Sequence, residues 1–166
     1  RDLLKPASGF QSVQFREIEF GSGLKDRKYL GMFRHDPDGT ARLEKRLAEP
    51  TLWDRFVELL KRSGFQTGDE SALEQTIVEI YRPGGDHKLR MLCEAMIEYD
   101  EMFSLWREHH VRMAQRMIGS KPGTGQPIVQ STYGKAGPMG TIGVEYLAQT
   151  LSKKFFPTLW AARTKM

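Results

Sequence analysis

The feature that most constrains the fold is a long segment, from Asp86 to Ile118, with apolar side chains at helical spacing. Alternating steps of four and three residues reach an apolar or aromatic side chain at every position but one: Leu92, Met96, Tyr99, Phe103, Trp106, His110, Met113 and Met117. Because this spacing keeps side chains on one helix face, we predict a single long helix with that face in the core. His110 then points into the core, and His109 lies about 100° away around the helix, on the shoulder of the face.

The segment before this helix also has helical patterns. Residues 8–20 (SGFQSVQFREIEF) are apolar around much of the helical circumference, which predicts a heavily buried helix that Gly21 closes. The sequence HDPDGT, residues 35–40, is typical of a turn.

Two capping patterns predict the next helices. Thr51 followed by Asp54 resembles a capping box, at the head of an amphipathic segment that ends at Gly64. Ser71 followed by Glu74 repeats the pattern for another helix, which a Pro-Gly-Gly sequence terminates.

Residues 119–140 form a Gly- and Pro-rich loop that is too long for a passive connector in a compact domain. A lid over a ligand and a flexible surface insertion both fit this pattern. We predict a further helix over 141–152 and a last short turn from Pro157. PIVQSTY, residues 127–133, is the one weak strand candidate, so the predicted fold class is all-α, a helical bundle in one domain.

Composition limits the classes of function. The net charge of +4 comes from Lys and Arg residues interleaved with Asp and Glu, so it gives no basic stripe for nucleic acid. The single cysteine, Cys93, excludes an internal disulfide and suits a reducing compartment.

No apolar run reaches the length of a membrane span and no signal peptide opens the chain, so we expect a cytoplasmic protein. The chain starts at Arg1 without an initiator methionine, and we expect residues 1–166 to be one domain that lacks its upstream part.

The histidines are the strongest candidates for a metal site. A histidine on an apolar face is more often a packed core residue than a ligand, but the Trp, Phe, Tyr and Met side chains around His110 suit a flat apolar cofactor. His109 and His110 are adjacent on a helix and cannot chelate one metal together. His35 and His87 fit surface positions. The glycine loop contains no P-loop motif for binding phosphate. Ser12 has no partner residue that would make it a nucleophile.

Three stretches resemble the tryptophan 2,3-dioxygenase family. These are RDLLKPASGFQSVQFREIEF, with its SGFQS motif; the helix containing LWRxxHxRxxxRxIGxKxGTG; and GVEYLAQTLSKKFFPTLWAART. The resemblance spans nearly the whole chain and corresponds to the later part of the family's domain. It implies a haem-dependent enzyme that inserts both atoms of O2 across the indole C2–C3 bond of L-tryptophan and forms N-formylkynurenine.

The resemblance also implies roles for particular residues. His110 corresponds to the proximal ligand of the haem b iron, and Trp106 belongs to the cofactor surroundings. Arg1 corresponds to the arginine that holds the substrate carboxylate, a task that suits a planar guanidinium. Thr124 corresponds to the threonine that contacts the substrate's amino and carboxylate groups. The resemblance implies no further catalytic residue in this chain. It does imply an all-α homotetramer.

Two departures from the family pattern leave alternatives open. The family's distal histidine precedes the residue that corresponds to Arg1, and GTGQ followed by an inserted segment, residues 126–140, replaces the usual GTGG. The alternatives are therefore a related haem oxygenase of a substituted indole or another aromatic amino acid, and a non-catalytic helical interaction domain in which His110 is merely buried.

Overall fold

The computed structural model describes residues 13–25, 37–118 and 151–166. Within these ranges the chain forms six helices and no strand. The helices are α1 (Val13–Ser22), α2 (Pro37–Ala48), α3 (Leu52–Arg62), α4 (Glu70–Tyr81), α5 (His87–Ile118) and α6 (Pro157–Arg163). The all-α fold class is confirmed.

The first predicted capping box is present at the start of α3. The Thr51 side chain accepts a hydrogen bond from the Asp54 backbone N–H at 3.1 Å, and the Asp54 carboxylate accepts one from the Thr51 backbone N–H at 2.8 Å. These reciprocal bonds satisfy two backbone donors that the first turn leaves without helical partners. They also hold the pKa of Asp54 below its usual range. At the other end Gly64 takes a φ of +87°, which glycine adopts without strain.

The second predicted cap was wrong. Asp69, not Ser71, is the N-cap of α4, and its carboxylate accepts a hydrogen bond from the Ala72 backbone N–H at 2.8 Å. Both positions carry a preferred cap residue, but Asp69 has the extended backbone of a cap and Ser71 already lies in the first turn of the helix. The Pro-Gly-Gly sequence follows the end of α4, as predicted.

Two boundaries near the amino-terminal end differ from the predictions. Helix α1 continues past Gly21 to Ser22, and the chain turns at Gly23, where φ is +135°. The predicted turn HDPDGT contains the start of α2, because Pro37 fits the first position of a helix, where no backbone N–H is needed.

The core lies between α3, α4, α5 and α6. Its fully buried centre contains Leu60, Ile77, Cys93, Phe156 and Leu159. Two ion pairs cross its surface, from Arg163 to Glu94 and from Lys165 to Glu74, and they attach the carboxyl-terminal end of the chain to α5 and α4. Burial, with a smaller effect of Glu94, raises the pKa of the Cys93 thiol to about 12.

Helix α5 has the predicted length, and Asp86 caps it by accepting hydrogen bonds from the backbone N–H groups of Lys88 and Leu89. The predicted final turn from Pro157 is the helix α6. The helix predicted over 141–152 and the strand candidate at 127–133 lie outside the described residues, apart from Leu151 and Ser152, which form a turn. No helix in the described ranges combines the length and apolar character needed to cross a membrane.

The two rival caps of α4 give a direct test of this fold. Asp69→Ala removes the acceptor of the Ala72 N–H and is expected to lower the free energy of unfolding by about 1 kcal/mol. Ser71→Ala, at an exposed position inside the first turn, is expected to change it by less than about 0.5 kcal/mol. Urea unfolding followed by circular dichroism measures both, and a larger loss for Ser71→Ala would contradict the position of the cap.

Candidate functional site

Aromatic rings surround His110 on one side of α5. The Trp106 ring lies one helical turn before the imidazole, with the two ring centroids 5.5 Å apart. Phe15 of α1 stacks on Trp106 at 5.2 Å, and Phe103 meets Trp106 edge-on at 6.4 Å. Helix α1 therefore packs beside His110, and its contact with the helix is aromatic.

The prediction that His110 points into the core was wrong. The His110 side chain is half-buried, and the apolar face that continues from it is open, with Trp106 41%, Met113 49% and Met117 75% exposed. The face is buried only in its first half, at residues such as Met96. His110 thus lies at the point where α5 leaves the core, and its ring borders an apolar surface.

The surroundings of His110 favour the neutral imidazole. Partial burial lowers the pKa of His110 from its ordinary value because the charged form loses hydration. A neutral imidazole is the form of histidine that binds a metal ion. Its neighbour His109 is exposed, so the two adjacent histidines have different environments.

The His110 imidazole offers one nitrogen donor, which suits a metal that is already held by the other ligands of a cofactor. Among the described residues no three His, Cys, Asp or Glu side chains come together as a metal site. A bare zinc or calcium ion needs several protein ligands, whereas haem iron needs one axial imidazole and an apolar surface for the macrocycle. The half-buried His110 beside the open face of Trp106, Met113 and Met117 fits the second requirement.

A buried carboxylate lies nearly three helical turns before His110. Asp100 is fully buried, and one of its oxygens accepts hydrogen bonds from the backbone N–H groups of Phe155 and Phe156 at 3.0 and 3.3 Å and from Trp160 Nε1 at 2.8 Å. These bonds attach the segment before α6, and α6 itself, to the middle of α5. Three donors on one oxygen offset part of the cost of burying the charge.

A buried guanidinium, that of Arg107, lies one helical turn before His110. Arg107 is also fully buried, and its Nη1 donates to the Lys153 carbonyl oxygen at 2.6 Å. Burial lowers the pKa of Arg107, and the charges of Glu19 and Asp100 act in the opposite direction. Its Nε and Nη2 atoms have no hydrogen-bond partner among the residues that the structure describes.

The sequence pattern did not predict that Asp100 and Arg107 are buried. It favoured the apolar stripe as the buried face of α5, whereas a different line of residues is the most buried. The most buried line also advances in steps of three, four or seven residues, and it contains Leu89, Cys93, Met96, Asp100, Arg107 and Val111. Averaged over its residues, this line lies about 80° around the helix from the apolar stripe that passes through His110, and only Met96 belongs to both. The seven-residue spacing of Asp100 and Arg107 on an otherwise apolar line was the available signal.

The other candidates divide into exposed and undescribed residues. His87 is exposed, as predicted, and its Nδ1 lies 3.1 Å from Arg90 Nη2. Arg1, Thr124, His35, the residues Phe10 and Ser12, and the loop 126–140 lie outside the described residues. The site that the structure describes therefore consists of His110, Trp106 and their neighbours.

This helical chain has the His110 imidazole beside an apolar face. Comparison with known sequences assigns the chain to a family. The sequence model of tryptophan 2,3-dioxygenase matches residues 70–166, the part that contains α4, α5 and α6. The chain belongs to the tryptophan 2,3-dioxygenase family.

Bacterial relatives agree with this assignment over the full chain. A tryptophan 2,3-dioxygenase of a Nocardioides species is 40% identical over 172 residues, which cover 100% of this chain and 58% of the relative. That of Herpetosiphon aurantiacus is 38% identical, over 100% of this chain and 62% of the relative. That of Caulobacter vibrioides is 36% identical, over 100% and 63%. The chain thus spans about three fifths of the length of these relatives.

The importance of the Asp100 carboxylate can be measured by its removal. Asp100→Ala leaves the N–H groups of Phe155, Phe156 and Trp160 without their acceptor and removes one of the two opposite charges near Arg107, so we expect a loss of about 3 kcal/mol or more in the free energy of unfolding. Glu101→Ala, at the adjacent exposed position on α5, serves as the control and is expected to cost less than about 0.5 kcal/mol. Equal urea midpoints for the two variants would contradict the anchoring role of Asp100.

Proposed function

We propose that the chain provides the proximal haem face and part of the substrate site of a tryptophan 2,3-dioxygenase, which opens the indole C2–C3 bond of L-tryptophan with O2. The observation that carries the proposal is the half-buried His110 imidazole beside an open apolar face, in a chain of this family. When bound, haem b supplies the oxygen chemistry of the reaction. The residues of the chain supply its ligand, its apolar surroundings and the orientation of the substrate.

His110 is the residue that would hold the haem iron, through its imidazole. Burial lowers the pKa of His110 and so favours the neutral imidazole, the form that binds a metal ion. The ring also needs a fixed direction, and the Trp106 ring, itself stacked on Phe15, limits its movement on one side. The same aromatic rings exclude water from that side of the ligand.

Trp106, Met113 and Met117 are the proposed contacts of the macrocycle. They lie within two turns of His110 on its side of α5, and each exposes two fifths or more of its surface. A flat apolar group that covers them would remove this surface from water, at roughly 25 cal/mol for each Å² buried. Methionine side chains adapt their shape to such a group at little cost.

Arg1 and Thr124 are the proposed substrate residues, by their correspondence to the family motif. An arginine offers two parallel N–H donors to a carboxylate, and a threonine hydroxyl both donates and accepts. Together they suit the carboxylate and amino groups of an amino acid and leave its indole free to lie against the haem. The resemblance to the family also supports a homotetramer as part of this proposal.

Haem binding tests the ligand. We expect the purified chain titrated with haem to develop a stoichiometric Soret band, which His110→Ala abolishes or shifts because the axial nitrogen is removed. His109→Ala, at the adjacent exposed position, is the matched control and should retain the band. Loss of the band in His109→Ala with retention in His110→Ala would contradict the ligand, and no band in any of the three would contradict haem binding by this chain.

Turnover tests the substrate site. The haem-loaded chain is expected to convert L-tryptophan to N-formylkynurenine, identified by product mass. Arg1→Lys keeps the charge but loses the bidentate geometry, so we expect KM for L-tryptophan to rise about tenfold. Arg62→Lys, on the exposed surface of α3, is the control and should leave KM unchanged. An unchanged KM in Arg1→Lys would contradict its contact with the substrate, and a different product mass would indicate another reaction.

A further inference from the structure

Arg107 joins three separate parts of the chain at the level of His110. It belongs to α5, it donates to the Lys153 carbonyl in the segment before α6, and its guanidinium lies 5.0 Å from the ring centroid of Phe155 in the same segment. On its other side it lies 5.8 Å from the ring centroid of Phe15 in α1. A guanidinium can contact ring faces and donate in its own plane at the same time, so one side chain makes both kinds of contact.

The rings that Arg107 contacts lead directly to the imidazole. Phe15 stacks on Trp106, whose centroid is 5.5 Å from that of His110. Phe155 meets Phe103 at 5.3 Å, and Phe103 meets Trp106 from the other side. The position of the Trp106 ring thus depends on both segments that Arg107 holds, and so do the direction and exposure of the His110 ring beside it.

Packing of the apolar cluster alone does not explain a charge at this position. A buried guanidinium is costly to desolvate, and apolar residues of similar size often replace buried ions without loss of stability. What the guanidinium adds is direction, because a hydrogen bond to one carbonyl fixes where the segment lies along α5 more tightly than apolar contact does. The charges of Glu19 and Asp100 offset part of the cost.

We propose that Arg107 is a positioning residue of the His110 site, which holds α1 and the segment from Lys153 to Phe156 against α5 and so fixes the Trp106 ring and the face that His110 presents. The inference deepens the proposed function, since it concerns the same imidazole, and its relevance to catalysis rests on that proposal. Its structural content is independent of haem and can be tested without it.

Chemical modification of the apo chain provides the first test. Diethyl pyrocarbonate acylates neutral imidazoles according to their accessibility, and tandem mass spectrometry distinguishes the modified histidines. The exposed His87 on the same helix is the internal reference. We expect Arg107→Met to raise the ratio of His110 to His87 modification severalfold, because α1 and the segment before α6 move away from the Trp106 ring. Arg107→Lys keeps the charge without the planar guanidinium and should give a smaller rise.

Arg112→Met is the matched control. Arg112 lies two residues beyond His110, about 200° around the helix, and its exposed side chain pairs with Glu108. Its replacement should leave the ratio unchanged. The proposal is overturned if Arg107→Met lowers the urea midpoint but keeps the wild-type ratio, since Arg107 would then be only a stabilising residue. Should Arg107→Met not fold by circular dichroism, a wild-type ratio in Arg107→Lys overturns it equally.

A second readout concerns the haem-loaded chain. The iron–imidazole stretching band in the resonance Raman spectrum of the ferrous form reports the setting of the ligand ring. We expect this band to shift in Arg107→Met and to stay in place in Arg112→Met, and an unshifted band in Arg107→Met would contradict the proposal. If the wild-type chain binds no haem, the proposed function fails, and the modification ratios alone decide the positioning role.

Discussion

The buried polar contacts of α5 with the end of the chain are the interaction on which the rest of the structure depends. Asp100 accepts hydrogen bonds from Phe155, Phe156 and Trp160, and Arg107 donates to the Lys153 carbonyl, and both of these α5 side chains are fully buried. The segment that carries these groups also supplies Phe155, Phe156 and Leu159 to the core between α3, α4 and α5. Because buried donors without an acceptor are costly, the chain cannot exchange this arrangement for a looser one without losing much of its stability.

Two lines of residues on α5 differ in burial, and the angle between them explains why His110 is half-buried. The line through Cys93, Asp100, Arg107 and Val111 faces the protein and is almost completely buried. The stripe through Trp106, His110 and Met117 lies about 80° around the helix and passes from the core to an open apolar surface. A helix that buried the stripe itself would enclose His110 and leave no surface for a cofactor. The half-burial of His110 thus follows from which line packs against α4 and α6.

The existence of α1, α3, α4, α5 and α6 and most of their described ends could be predicted from the sequence, because helical spacing and caps are local properties, whereas α2 was not predicted. The start of α5 at Asp86 and the capping box of Thr51 and Asp54 are examples. The cap at Asp69 and the orientation of α5 could not, since each depends on a choice between neighbouring patterns that tertiary contacts decide. The apolar stripe was the more hydrophobic line, but α1 and the segment before α6 supply partners for the charges of the other line. Only their packing shows that Asp100 and Arg107 are inside.

Charged residues on the buried line also settle which of two adjacent histidines reaches the site. Apolar contacts alone would tolerate a small rotation of α5, because dispersion and desolvation have little directional preference. Rotation by one residue, about 100°, would bring His109 to the angular position of His110 and turn His110 away from it. The bonds of Asp100 to three donors and of Arg107 to one carbonyl oppose such a rotation, since each requires its own alignment. The polar residues farthest from the open face therefore select the imidazole that lies beside it.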